Sequence, residues 1–201
     1  FAIEADGRNI LVNLRPASFS LTIDVSTIYT FDATGRLMGA YVRGRNYLRG
    51  LSNRILVKWG AGHGLAKRSR IDLDEAGKRA FIGDMLECTN GIADAVRRRA
   101  VSSPGRRLDD GALDAVVSAL STVMDYEALA ADGRRFETIY RPISILPPDQ
   151  YLALVLQATE GCSWNKCTFC DFYRDRPFRI KRAADFRRHV RDVMAFLGPA
   201  L

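Results

Sequence analysis

Tyr151-Leu-Ala-Leu-Val-Leu-Gln-Ala-Thr-Glu-Gly161, followed at once by Cys162-Ser-Trp-Asn-Lys-Cys167-Thr-Phe-Cys170-Asp-Phe-Tyr173, decides how the rest of this chain is read. The run from Leu152 to Leu156 is wholly apolar and does not alternate. That pattern predicts a strand covered on both faces, as in a parallel sheet. It ends at Thr159-Glu160-Gly161, and three cysteines arrive within the next nine residues. A charged segment with helical period follows from Arg182 to Leu197. The predicted order is strand, cysteine loop, helix. In α/β folds, loops at the carboxyl ends of parallel strands are where chemistry collects.

The spacing of the cysteines narrows what they do. A disulfide framework is a poor fit, because Cys167 and Cys170 are too close to staple a fold and an odd cysteine remains. Zinc asks for four ligands, commonly in two pairs, and the loop offers three thiols with no histidine beside them. The C-x4-C-x2-C pattern is also that of plant-type ferredoxins, but no further cysteine occurs between Asp171 and Leu201. The loop also carries the bulky Trp164, Asn165, Lys166 and Phe169, where a wrapped two-iron cluster favours small residues. Thiolates remain soft ligands suited to iron–sulfur centres, and three of them on a four-iron cluster leave one iron open.

On these residues, Gly161-Cys-Ser-Trp-Asn-Lys-Cys-Thr-Phe-Cys170 resembles the cluster loop of the radical S-adenosylmethionine (radical SAM) enzymes. The family's usual first gap is three residues; here it is four, Ser163 to Lys166, as in longer-gap variants of the superfamily. The resemblance covers about residues 147–197. It implies that Cys162, Cys167 and Cys170 ligate a 4Fe–4S cluster and that Phe169 packs near the adenine of S-adenosylmethionine. It further implies that the open iron chelates the cofactor, which is cleaved to a 5′-deoxyadenosyl radical that takes hydrogen from a substrate. An external electron donor such as flavodoxin or ferredoxin, and a reducing compartment such as the cytoplasm, are implied with it. The substrate, a small molecule or tRNA, stays open.

The implied fold class is α/β: a small N-terminal α+β accessory domain over 1–146, then the first βα unit of a partial (β/α) barrel over 147–201. A complete barrel needs many further βα units, so the chain is expected to be the N-terminal piece of a longer enzyme. Phe1 in place of an initiating methionine agrees with a fragment. Two other functions compete with the enzyme: a module that holds a cluster or zinc for binding or electron transfer, and a truncated, non-catalytic interaction fragment.

The composition excludes less than the motif. With 201 residues and ample apolar content, a packed core is expected. No apolar run approaches the roughly 18 residues of a membrane span, and no signal-peptide pattern is present. The net charge of +7 permits an anionic partner, but apart from Arg97-Arg98-Arg99 the basic residues are interleaved with acids.

Upstream, Ile10–Leu14, Leu21–Phe31, Leu37–Arg43 and Ile55–Trp59 read as strands of a small antiparallel sheet, with Asp32-Ala-Thr-Gly35 as a turn. Gly60-Ala-Gly-His-Gly64 lacks the spacing of a phosphate loop and reads as a connection, leaving His63 a solvated histidine. A helix is predicted from Asp72 or Asp74 to Ala100, with a break at Asn90-Gly91; Cys88 is its small hydrophobe. A second helix is predicted from Asp110 to Met124, a polar turn or short helix from Asp125 to Gly133, and a short strand over Arg135–Tyr140. The boundary between domains is expected near Pro147. In the last helix, Phe186, Val190, Val193, Met194 and Leu197 form the apolar stripe, while Arg187, Arg188, His189 and Arg191 face water.

Overall fold

The computed structural model describes residues 2–60, 68–103, 109–143 and 153–198. These divide into two compact units, with the division in the chain between Gly133 and Arg134. The expected boundary near Pro147 and the residue His63 lie outside the described residues.

The first unit is built on eight strands: β1 (Ala2–Ala5), β2 (Arg8–Arg15), β3 (Ser18–Ile23), β4 (Thr27–Asp32), β5 (Leu37–Val42), β6 (Arg45–Arg49), β7 (Ile55–Gly60) and β8 (Arg68–Asp72). They pair in chain order, every pair antiparallel, as one meander. Alternation explains the pairing. Ile10 and Val12 on β2, Phe19, Leu21 and Ile23 on β3, and Tyr29 and Phe31 on β4 turn to one buried face. The positive-φ pairs Asp6-Gly7 and Arg43-Gly44 close two-residue turns whose twist matches that of the strands they join.

Helices α1 (Glu75–Arg97) and α2 (Asp110–Ser121) cover that face. Ile82, Met85, Ile92 and Val96 of α1 and Leu113, Val116 and Leu120 of α2 fall at helical spacing and join the sheet residues in one core. Asp74 caps α1, its carboxylate accepting from the Gly77 amide at 2.8 Å. The turn before β5 runs close beneath the end of α2. At Gly35 (φ 84°) a Cβ would lie 1.9 Å from the Thr122 carbonyl oxygen.

Helix α3 (Tyr126–Ile139) begins in the first unit, where its Asp132 enters a buried ionic group. Arg36 Nε donates to Asp132 Oδ2 at 2.8 Å, and Arg36 also pairs with Asp32 at 3.3 Å. Arg49 lies 3.8 Å from the same Asp132 oxygen, donates to Asn53 at 2.8 Å and reaches the Leu129 carbonyl at 3.1 Å. Burial pulls the Arg49 guanidinium down to about 10, against the opposing pull of the Asp132 charge.

The second unit holds the C-terminal part of α3, a two-stranded antiparallel ribbon of β9 (Thr159–Glu160) and β10 (Arg179–Ile180), and α4 (Ala183–Leu197). Phe136, Tyr140, His189 and Phe196 form its aromatic contacts. No helix of the described residues is long and apolar enough to cross a membrane.

This architecture corrects the expected fold class. The chain is dominated by an eight-stranded antiparallel sheet, and among the described residues no βα unit of a barrel stands around the cysteines. Leu152 lies outside the described residues, and residues 153–156 form no strand. A strand covered on both faces needs a sheet with layers packed against each side, and among the described residues of the second unit β9 and β10 offer two residues each, paired to one another. Leu154 is accordingly 47% exposed.

Smaller corrections have local causes. Leu21–Phe31 is two strands, because Asp24 and Val25 both take positive φ and turn the chain back. Asn90-Gly91 does not break α1, whose Thr89 and Ile92 are held in the core on either side. Arg135–Tyr140 is not a strand: residues 135–139 continue α3, and Tyr140 donates its amide to the Phe136 carbonyl, one last helical bond. On α4 the stripe is shifted. Phe196 is buried and Met194 is 58% exposed, while His189 is drawn inside with the ring of Tyr140 edge-on at 5.3 Å.

Candidate cluster-binding loop

The loop that carries the three cysteines is closed at its base by β9 and β10, whose register pairs Glu160 with Arg179 and Thr159 with Ile180. Cross-strand charges strengthen this neck. The Glu160 carboxylate meets Arg179 Nη2 at 3.2 Å and Lys181 Nζ at 3.2 Å, and Lys181 also donates to the Gln157 carbonyl at 2.8 Å. Burial pushes the Glu160 carboxyl up, but the two cations outweigh it and hold it below its ordinary value.

Gly161 is the next residue, and its identity follows from the neck. It sits at φ 74°, and a Cβ there would lie 2.7 Å from the Pro177 carbonyl oxygen. The two sides of the loop therefore touch backbone to backbone just before the first cysteine.

Cys162 opens a tight turn. Asn165 adopts φ 44°, which aims its amide at the sulfur, N to Sγ 3.5 Å. The amides of Asn165 and Trp164 hold the Cys162 thiol below its ordinary pKa. The Asn165 side chain crosses the loop to donate to the Tyr173 carbonyl at 3.2 Å, and Arg174 donates to the Cys167 carbonyl at 2.7 Å. These two cross-loop bonds brace the cysteine segment from its far side. Cys167 and Cys170 are half-buried, and all three thiols are free.

Phe169 stands 91% exposed beside Cys170. Trp164 is exposed as well, with Lys166 Nζ 5.9 Å above its ring. Next to the neck is a cleft of about 280 Å³ lined by Arg141, Gln157, Glu160, Gly161, Tyr173 and Arg176.

Among the described residues, no three His, Cys, Asp or Glu side chains converge as a metal-holding group. The donor set itself suits an iron–sulfur cluster. It consists of three soft sulfurs on one loop, one with amides directed at it, the kind of N–H···S contact that supports cluster thiolates. No helix or strand runs through residues 162–170, so gathering the sulfurs breaks no regular backbone hydrogen bonds.

The three sequence-predicted ligands and Phe169 follow one another along this loop, and the described residues do not gather the three sulfurs into a metal-holding group. Cys88 belongs to the first unit, half-buried on α1 with its sulfur 4.0 Å from Arg8 Nη1. His189 is the residue that sequence reasoning missed. Its Nε2 accepts the Gln157 amide at 3.0 Å, which anchors the segment leading into the neck. Burial and the nearby Lys181 charge lower its pKa. The available signal was its place one residue before Val190 and three after Phe186, on the flank of the apolar stripe. Asn165 and the Glu160 clamp were also unmarked, since both depend on partners across the loop.

No protein-family model, no curated protein and no solved structure matches this chain.

Proposed function

We propose that Cys162, Cys167 and Cys170 hold a 4Fe–4S cluster with one iron open to S-adenosylmethionine, and that the chain belongs to a radical enzyme of the kind its loop resembles. The observation that carries this reading is the C-x4-C-x2-C set of free thiols on one neck-pinned loop. When bound, cluster and cofactor supply one-electron cleavage of the sulfonium, giving a 5′-deoxyadenosyl radical that abstracts hydrogen from the substrate.

The chain's own residues then have distinct tasks. Gly161 lets the two sides of the loop close. The Trp164 and Asn165 amides favour the thiolate at Cys162, the form that ligates iron. Phe169 offers an exposed ring to the adenine. The Glu160–Lys181–Arg179 clamp holds the neck without touching a sulfur. Free thiols and an oxygen-sensitive cluster fit a reducing compartment such as the cytoplasm.

A second reading is favoured by one observation: among the described residues, no barrel strands surround the loop. It is a module that holds iron–sulfur or zinc for binding or electron transfer, without radical chemistry. Anaerobic reconstitution with iron and sulfide, then EPR of the reduced protein with and without S-adenosylmethionine, separates the two. A four-iron signal that changes with the cofactor supports the enzyme. A signal indifferent to it favours the module, and a tightly held zinc with no cluster overturns the main reading.

A further inference from the structure

The first unit carries a site unrelated to the cysteine loop. In a meander, alternate turns fall at the same end of the sheet, so the β1–β2, β3–β4 and β5–β6 turns bring Arg8, Asp24, Arg43 and Arg45 together. Helix α1 passes beside them and presents Phe81, Asp84, Glu87, Cys88 and Gly91, residues spaced to share one helical face. Between the turns and the helix lies a cleft of about 990 Å³.

Three features make this cleft more than a gap in the packing. First, its walls are charged in opposite senses: the turns carry three arginines against one carboxylate, Asp24, which accepts the Asn9 amide, and the helix carries the carboxylates Asp84 and Glu87. Second, those charges do not neutralise one another. The ion pairs of the first unit involve other residues, and none joins Arg8, Arg43, Asp84 or Glu87 among the described residues. Third, the Tyr29 ring is buried, only 5% of the residue being exposed, and its hydroxyl opens on the cleft with no protein hydrogen-bond partner among the described residues. Burial, with the Cys88 and Asp84 charges, pushes this phenol up to about 12, so it is a neutral donor at physiological pH. The Tyr47 and Phe81 rings, stacked at 4.1 Å, add an apolar wall.

We propose that this cleft binds a small zwitterion with an apolar body, the chemistry of an aromatic or aliphatic amino acid or of a short peptide built from them. Its carboxylate meets the Tyr29 hydroxyl and Arg43, its ammonium meets Asp84 and Glu87, and its side chain lies along Tyr47 and Phe81. An anion alone would leave Asp84 and Glu87 as repulsive neighbours, and a cation alone would face the arginines in the same way. A wholly apolar ligand would strand the Tyr29 hydroxyl.

The test is a titration of the isotopically labelled full chain followed by NMR, with L-phenylalanine, the dipeptide Phe-Phe, N-acetyl-L-phenylalanine amide and inorganic phosphate as probes. The expected result is shifts at Tyr29, Tyr47, Phe81 and Cys88 with the two zwitterions and not with the uncharged amide or phosphate. Tighter binding of Phe-Phe than of phenylalanine assigns the site to peptides, and the reverse order to free amino acids. Tyr29→Phe and Asp84→Asn should each weaken binding by about tenfold, equivalent to about 1.4 kcal/mol. Both keep the side-chain shape, and an unchanged thermal midpoint verifies that they fold. Equal binding of the capped amide, binding of phosphate alone, indifference to both substitutions, or no shift with any probe at about 10 mM would each overturn the proposal.

Discussion

The two units place their polar side chains to opposite ends. In the first, Arg36, Arg49, Asp32 and Asp132 are withdrawn from water and bonded to one another, with Asn53 and the Leu129 carbonyl taking further donors. In the second, the charges of Glu160, Arg179 and Lys181 stay at a neck, and the three thiols beyond it are half-buried and free of disulfides. Groups that are enclosed and mutually satisfied hold elements in place. Groups left accessible on a braced loop hold no element in place, and on the proposed reading they are the ones that meet a cluster. The contrast separates what maintains this protein from what the proposed function would use.

The contrast breaks most visibly at Asp132. Asp132→Ala leaves Arg36 and Arg49 buried without their shared carboxylate, and should cost the first unit about 3–5 kcal/mol in chemical denaturation. A loss within experimental error would mean that the ionic group does not tie α3 to the sheet turns. Gly161→Ala is the corresponding steric break in the second unit. The added Cβ meets the Pro177 backbone, so about 1–3 kcal/mol of local stability is expected to go, seen as faster amide exchange across β9 and β10. Unaltered exchange there would refute the account of the neck.

Acid should distinguish the units next. His189 is buried, accepts the Gln157 amide and bonds the Ile139 carbonyl, and it faces Lys181, Asp192 and Glu160. Its folded pKa lies below the ordinary 6.5, so the unfolded chain binds the proton more readily. The stability that neutral His189 supports is present in full above pH 6.5 and drains away as pH falls from there towards the depressed folded value. Protection of the α4 amides, after allowance for the base-catalysed intrinsic exchange rate, should therefore fall as pH drops below 6.5, and His189→Gln should flatten that dependence. An identical slope in the variant would remove His189 as its source.

The smallest change in stability is expected where the functional change is largest. Cys167→Ala should leave the thermal midpoint where it is and abolish iron after reconstitution, while Cys88→Ala, outside the loop, should retain it. Full iron content in Cys167→Ala would refute the ligand set.

Legibility followed the range of the forces involved. Alternation in Ile10–Leu14 and Leu37–Arg43, the Asp74 cap and the helical spacing of Leu113, Val116 and Leu120 are local, and each predicts its element. The Asp6-Gly7 turn was as local and went unmarked, although Asp-Gly between apolar segments is a strong hairpin signal. The run Leu152–Leu156 misled because an apolar sequence records a wish for cover without naming the partner. The strand it predicts needs a covered sheet around it, which the described residues of the second unit do not provide. Residues 135–139 misled in the other direction: their mixed pattern suits a strand, but Phe136 stacks on Tyr140 and Phe196 and the chain stays helical.

What the sequence determined by itself is therefore the chemistry available at the loop. Three thiols in a fixed spacing, a glycine before them and an aromatic beside the last are covalent facts that no packing can change. Only the tertiary structure decided the eight-strand order, the enclosure of Asp132 between two arginines, the partner of His189, and the meeting of turns and helix around Tyr29. Each of these joins residues far apart in the chain. Their free energies depend on burial and on mutual satisfaction of polar groups, which exist only once the distant segments have come together.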